Sequence, residues 1–342
     1  MEYLYYNTLN VFYNGDYHKL KKARAAFGAW EAAWKKVSSE ARLDPHKEWK
    51  ELEARGIRLI LQEDKEFPPL LREIATAPFG LYIKGESLID IAPKIGIVGT
   101  RKATSVGKSM AESIAGELAL SGITVVSGLA TGIDAAAHSA TVKSSGKTVA
   151  VLAHGLDQVY PRHHSRLAEE ILSSGGALVS EYPLGPVAYA ARFLERNRII
   201  SGLSLGVVVV EAPESSGSLA TARFAMEQNR EVFVVPGMAN HLNYAGSHAL
   251  LRDGARLVCS AKDVLEDLGL MSLEKEVKQK KFGFLNPAQS KIVEAMRSLG
   301  ATADIDSLCE ISKIDISELN QNLTLLLIQG VIKEEAGRYF LS

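Results

Sequence analysis

The sequence is poor in cysteine and in net charge, and no apolar run in it reaches the length of a membrane span. Cys259 and Cys309 are its only cysteines. They lie far apart with no second ligand pair nearby, which excludes a disulfide framework and a cysteine zinc site and fits reduced thiols in a cytoplasm. Thirty-nine basic residues face forty acidic ones, so the whole chain is not a basic nucleic-acid coat and any anion site must be local. The start, Met1 to Asn10, has no basic region followed by an apolar stretch, so no signal peptide is expected. Low-complexity tracts and long internal repeats are also missing.

Two familiar nucleotide motifs are incomplete. A dinucleotide fingerprint needs G-x-G-x-x-G after the first strand, but here the turn reads Gly99-Thr100-Arg101-Lys102-Ala103-Thr104. Gly107-Lys108-Ser109 resembles the end of a P-loop. However, the required earlier glycine is Lys102, and Lys108 falls inside a helix pattern rather than at its start. Asp134 and His138 share a helical face, but one Asp and one His make an incomplete metal site. They are read instead as an acid orienting the glycine loop and a histidine bonded locally. Adjacent His163 and His164 cannot face one ligand from a helix. No cofactor and no metal are expected.

What is present is a series of Gly-, Arg- and Ser-containing loops, each set just after an apolar run. They are Gly99-Thr100-Arg101, Ser127 to Asp134, Arg196-Asn197-Arg198, and Ser216 to Thr221. Strand, loop, helix is how an open α/β sheet builds a ligand crevice at the carboxyl ends of its strands. Glycines admit phosphate close to the backbone, helix N-termini offer amide donors, and arginines add bidentate charge.

Three regions separate along the chain. Residues 1–92 begin with helical patterns (Asp16–Ala29, Glu31–Val37, Lys47–Arg55) and end with two short strand patterns, Ile57–Leu61 and Gly80–Ile83. They are read as a small helical domain with a lead-in. Residues 93–268 alternate apolar strands with amphipathic helices. Strands are expected at Ile95–Gly99, Ile123–Ser127, Thr148–Ala153, Ala177–Ser180, Gly206–Glu211, Glu231–Pro236 and Arg256–Cys259. Runs such as Val207–Val210 belong to strands buried on both faces, which predicts a doubly wound parallel sheet in an α/β fold. Residues 269–283 read as a charged linker. Residues 284–342 show three helix patterns (Ala288–Leu299, Ile305–Ser312, Ile316–Gln329) and a β-like tail, a winged-helix pattern.

Each candidate site residue has a functional and a plainer reading. Arg101 is read as a phosphate clamp rather than a surface ion pair. Ser127, Gly128 and Gly132 form either an amide-lined anion turn or a tight turn into a helix. Arg196 and Arg198 flank Asn197. On an extended segment both arginines would point the same way; on a helix they would diverge by roughly 200°. At least one is expected to face ligand, against a structural ion pair with Glu195 or Glu181. Arg162 and Arg166 suit a shared helical face reaching a second phosphate, against a solvated face. Ser216, Gly217, Ser218 and Thr221 sit where a loop enters a helix and are read as phosphate-binding. Related phosphoribohydrolases place a glutamate one turn into that helix, whereas here Ala222-Arg223-Phe224 follows and the nearest carboxylates are Glu211 and Glu227.

These stretches, in this order, resemble the DNA-processing protein A (DprA, or Smf) family. The matching segments are Gly99–Arg101, Ser127–His138, Val149–Asp157, Tyr160-Pro161, Ser180-Glu181, Arg196–Ser204, Ser216–Ala222 and Arg230–Gly237. Glu63–Leu71 matches the family's lead-in. The resemblance implies an extended Rossmann-like fold that binds single-stranded DNA, dimerises, and in competent bacteria protects incoming strands and helps load RecA during transformation. It implies a mediator rather than an enzyme. The chain departs from the family pattern at Leu194, usually proline, and at His164 and His248, usually asparagine. The rival readings are a nucleotide hydrolase using Glu211 or Glu227 and a nucleotide sensor without turnover. From Phe284 onward, five basic residues face eight acidic ones, and the third helix pattern carries no Lys or Arg. The tail is therefore expected to contact protein, not to grip duplex DNA.

Overall fold

The computed structural model describes residues 1–88, 92–185, 189–271, 285–300, 302–328, 331–335 and 337–341. The chain divides into two compact units, Met1–Met271 and Ser272–Ser342. The charged linker read from the sequence falls almost wholly outside the described residues.

The first unit opens with four helices: α1 (Glu2–Phe12), α2 (Tyr17–Phe27), α3 (Trp30–Val37) and α4 (Pro45–Ala54). The sequence patterns gave the last three but not α1. Asp16 and Asp44 cap α2 and α4 by accepting from the Lys19 and His46 amides. Strands β1 (Arg58–Leu61) and β2 (Gly80–Gly85) follow, separated by the single turn α5 (Pro69–Arg72). Then come β3 (Lys94–Val98), α6 (Ser105–Leu120), β4 (Thr124–Ser127), α7 (Ile133–Lys143), β5 (Thr148–Val151), α8 (Ser165–Ser173) and β6 (Ala177–Ser180). The chain crosses over through α9 (Ala190–Gly202) to β7 (Gly206–Val209). It continues through α10 (Gly217–Glu227), β8 (Glu231–Val234), α11 (Ala245–Arg252), β9 (Arg256–Leu257) and α12 (Ala261–Asp267).

These strands form one nine-stranded sheet in the order β1-β2-β6-β5-β4-β3-β7-β8-β9. The seven strands from β3 onward pair in parallel, as their continuous β-branched runs predict. β2 pairs antiparallel with β6, and β1 antiparallel with β2. The two strand patterns of the N-terminal region thus extend the same sheet, and residues 1–92 share a compact unit with residues 93–268. Alternate residues of β5 enter opposite cores: Val149 and Val151 pack on one face, Ala150 on the other beside the α1–α4 side chains Trp30 and Trp34.

The strand order reverses around β3, with β4, β5 and β6 running out on one side of it and β7, β8 and β9 on the other. That switch point opens a crevice beyond the carboxyl ends of β3 and β7.

The second unit contains α13 (Pro287–Ser298), α14 (Ile305–Ser312), α15 (Ile316–Ile328) and a three-stranded sheet of β10 (Thr302–Ala303), β11 (Ile332–Glu335) and β12 (Arg338–Leu341). It has its own core around Ile292, Met296, Leu308, Leu319 and Leu323. Three helices and a small antiparallel sheet are the winged-helix arrangement. Among the described residues no helix is long and apolar enough to cross a membrane.

Candidate nucleic-acid interface

A cleft of about 680 Å³ lies at the switch point. Its floor is the loop after β3 (Gly99 to Lys102), one wall is the first half of α9, and the other is the N-terminus of α10.

The floor is tied together by one carboxylate. Glu211, just beyond β7, is fully buried. It accepts from the Thr104 amide at 3.0 Å, the Tyr244 hydroxyl at 2.9 Å and the Asn243 side-chain amide at 3.2 Å, and also from the Thr104 hydroxyl. Thr104 in turn caps α6 by accepting from the Gly107 amide at 3.0 Å. Gly107 is glycine because a Cβ there would collide with the Glu211 carboxylate. Burial pushes the Glu211 carboxyl up, but the hydrogen bonds from Thr104, Tyr244 and Asn243 outweigh it and hold the group ionised below its usual range. The segment that resembles a P-loop is thus a packing contact, and Glu211 is spent on structure. Glu227 is the last residue of α10, roughly 15 Å from that helix's N-terminus at 1.5 Å per residue.

Seven of the sequence-assigned residues line the cleft: Arg101, Arg196, Asn197, Ser216, Gly217, Ser218 and Thr221. Arg101 is exposed, and its guanidinium lies 4.8 Å from the centre of the Phe193 ring. It makes no ion pair among the described residues. Ser216 caps α10 by accepting from the Ser218 amide, and its hydroxyl meets that of Ser218 at 2.7 Å. The Asn197 side chain donates to the Gly217 carbonyl at 3.1 Å and holds this turn in place. Gly217 is exposed, and its Cβ direction is open except for the end of Leu194. A helix N-terminus, an exposed glycine and a free arginine converge here, which is what an anionic oxygen needs.

Arg196 and Arg198 fall within α9, not on an extended segment, so they diverge. Both are buried. Arg196 borders the cleft, but its Nη1 donates to the Gly128 carbonyl at 2.8 Å and to the Val151 carbonyl, joining the ends of β4 and β5. Burial lowers its pKa to about 10, with Asp134 opposing and Arg101 adding to the fall. Arg198 points away from the cleft into a 2.5 Å ion pair with buried Glu181, the plainer reading of the two weighed from sequence.

The loop after β4 is likewise held by its own side chains. The Gly128 and Ala130 amides donate to the Asp134 carboxylate at 3.1 and 3.4 Å, and Ser127 donates to the Ile97 carbonyl at 2.6 Å. A side chain on Gly128 would strike the Arg196 guanidinium, and one on Gly132 (φ +85°) would strike the Thr100 carbonyl. Their small size thus serves close backbone packing. The amides assigned to an anion are already engaged by Asp134, which orients the loop. His138 is fully buried and bonds Thr148 at 2.7 Å. Arg162 and Arg166 are both exposed, outside the cleft lining. Arg166 pairs with Glu170 at 2.9 Å.

Sequence reasoning missed the aromatic wall. Tyr160 and Tyr189 are 51% and 52% exposed, and the Tyr160 ring lies 5.8 Å from that of Phe193. With Leu194 these residues face the cleft. The signal was the spacing of Tyr189, Phe193 and Leu194 once α9 is drawn back to Ala190. Leu194 is its fifth residue, and a proline there would lose a helical hydrogen bond and clash with residue 190, so the leucine permits this first turn. The other two departures are absorbed locally: His164 bonds the Leu129 carbonyl at 2.8 Å and His248 the Gly237 carbonyl at 3.2 Å.

Residues 58–269 match the model of the family described as DNA recombination-mediator protein A. The chain is 38% identical to protein Smf of Escherichia coli over 295 residues, covering 84% of this chain and 78% of that protein. It is 42% identical to DNA processing protein DprA of Bacillus subtilis over 214 residues, covering 62% and 72%. The X-ray structure of DprA from Streptococcus pneumoniae superposes with a TM-score of 0.62 at 37% identity, covering 69% of this chain and 81% of that one. DprA from Helicobacter pylori, whose structure was described for its single-stranded DNA binding mode, superposes at 0.56 with 29% identity, covering 62% and 95%. By its family model, its relatives and its Rossmann-like fold, the chain belongs to the DNA recombination-mediator protein A family.

Proposed function

We propose that this chain binds single-stranded DNA across the β3–β7 cleft and acts as a recombination mediator in transformation. Arg101 carries the reading: an exposed guanidinium without an ion-pair partner among the described residues, stacked on Phe193 and facing the open N-terminus of α10. Phosphates lie on Arg101 and on the Ser216–Ser218 turn, while Tyr160, Phe193 and Tyr189 offer ring faces to bases. This combination suits a flexible single strand, because every base has a π-face and unpaired bases can reach one. The H. pylori relative's single-stranded DNA binding supports the same ligand here. Protection of incoming strands, loading of RecA, action in the cytoplasm and pairing of two copies through the Rossmann-like domain complete the proposal. It includes no catalytic step, since Glu211 is engaged by Thr104, Asn243 and Tyr244 and Glu227 is remote from the turn.

The test is fluorescence anisotropy with a labelled single strand of about 30 nucleotides and a matched duplex, each over a salt series. Strong single-strand preference with a steep salt dependence is expected. Arg101→Ala should weaken binding and lower the log–log salt slope by about 0.7. An unchanged slope removes Arg101 from the contact, and no binding at low salt sinks the reading in favour of a free nucleotide ligand.

A further inference from the structure

The first turn of α9 carries the aromatic wall on one side and a buried arginine on the other. Arg192 is 1% exposed although it lies between Ala191 and Phe193 at the rim of an open cleft. Its guanidinium is sandwiched between two rings, 4.5 Å from the centre of Tyr182 and 4.6 Å from that of Tyr189. Tyr182 is buried, and its hydroxyl donates to Glu195 at 2.9 Å. Tyr189 is the exposed ring that lines the cleft. Arg192 also donates through Nη2 to the Asn14 carbonyl, 178 residues away in sequence.

Asn14 and Gly15 form the α1–α2 turn, and both have positive φ, 53° and 75°. Gly15 is pressed on the same stack: a Cβ there would lie 2.6 Å from Cδ1 of Tyr182. The turn is anchored from behind, since Asn10 donates to the Glu181 carbonyl at 3.0 Å and to the Tyr82 hydroxyl at 3.1 Å. The Arg198–Glu181 pair lies under it, with the Arg198 guanidinium 5.5 Å from the centre of the Tyr17 ring. Four contacts therefore connect the N-terminal helices to the back of the cleft wall: Arg192 with Asn14, Tyr182 with Gly15, Glu181 with Asn10 and Arg198 with Tyr17.

We propose that Arg192 is a positioning residue for base binding. Through it the Asn14-Gly15 turn of the N-terminal helical layer sets the orientation of Tyr189 on the cleft face. A guanidinium is flat on both sides and forked at its edge, so one side chain can stack two rings and donate to a carbonyl; an ammonium cannot. The N-terminal layer then governs single-strand affinity without touching the strand. This inference rests on the proposed function.

The experiment uses the full chain and the same labelled single strand over a salt series. Arg192→Lys keeps the charge and loses the sandwich. It should weaken binding about tenfold, within the size of one lost base stack, at an unchanged salt slope. In a double-mutant cycle Arg192→Lys should add almost nothing once Tyr189 is alanine, because both changes remove the same contact. If Arg192→Lys does not fold, as judged by circular dichroism, Gly15→Ala pushes a methyl against Tyr182 and the Arg192 guanidinium and should show the same coupling to Tyr189. A folded Arg192→Lys with full affinity overturns the proposal, as do additive effects with Tyr189→Ala. A slope lowered by about 0.7 also overturns it, since Arg192 would then touch phosphate directly. Failure of the unmodified chain to bind at all falls on the proposed function instead.

Discussion

The β3–β7 cleft and the third helix of the winged-helix unit stand where each fold ordinarily places a ligand, yet they present opposite surfaces. The cleft offers an exposed arginine, ring faces and a helix N-terminus. The exposed side of α15 offers Gln321, Thr324, Leu325 and Ile328, with no cation along the helix. Its polar Asn322 is turned inward, bonded to Asn286 and the Glu318 carbonyl. A polyanion needs charge wherever the fold presents it, so the cleft meets that need and the exposed side of α15 does not. The exposed leucine and isoleucine fit a protein surface better than a phosphate backbone.

The largest effect is expected at Arg196, the buried frame of the cleft. Arg196→Ala leaves the Gly128 and Val151 carbonyls without their charged donor and opens a void beneath the cleft. A loss of roughly 3 kcal/mol in urea unfolding is expected, together with loss of single-strand binding. A stable variant that still binds would mean that the cleft does not depend on its buried frame.

Acid sharpens the same contrast, because the tail from Phe284 onward contains no histidine. The Thr148 hydroxyl donates to the Val125 carbonyl, so the His138 ring donates to Thr148 through Nδ1 and leaves buried Nε2 without a hydrogen-bond partner. Burial, with Arg196 and His164 adding to it, pushes the imidazole down to about 3. An unfolded histidine takes its proton near pH 6.5. The unfolded state therefore binds more protons between about 3 and 6.5, and stability rises with pH across that window. From pH 6.5 to pH 5 this histidine withdraws about 2 kcal/mol from the first unit, and His138→Met should lessen the pH dependence by that amount, leaving the share of His154, which burial also pushes down. Urea melts at the two pH values check it; an unchanged slope in the variant assigns the acid sensitivity elsewhere.

The smallest expected effect is deletion of the tail. A chain ending at Met271 should bind the labelled single strand within about threefold of the full chain, with the same salt slope. A slope reduced by one phosphate or more, about 0.7, would show that the tail grips DNA after all.

Strands β3 to β8 were legible because they are short apolar runs whose burial on both faces leaves no polar alternation to misread. α14 matches its sequence pattern residue for residue. α1 was not legible because the face it buries mixes Tyr6 and Leu9 with the polar residues Asn7, Thr8 and Asn10. Asn7, Thr8 and Asn10 are at most 1% exposed, and the partners of the two asparagines, Tyr82 and Glu181, are distant in sequence. The site was legible as a set of residue types but not as directions. Nothing local shows that Arg198 turns toward Glu181 while Arg101 stays free, because each outcome depends on which carboxylate the fold brings near. Ser127, Gly128 and Gly132 stand out from their neighbours in the sequence. Their role in tight backbone approach gives the same sequence signal as an anion turn.

The Glu211 knot joins the loops that follow β3, β7 and β8 at one carboxylate, so these loops cannot adjust independently to whatever enters. Adaptation then falls to the guest. A strand with rotatable bonds between every base can fit itself to a fixed floor, whereas a stiff duplex cannot. A surface set in advance imposes the same fit on every sequence, as the proposed binding of single strands regardless of sequence requires.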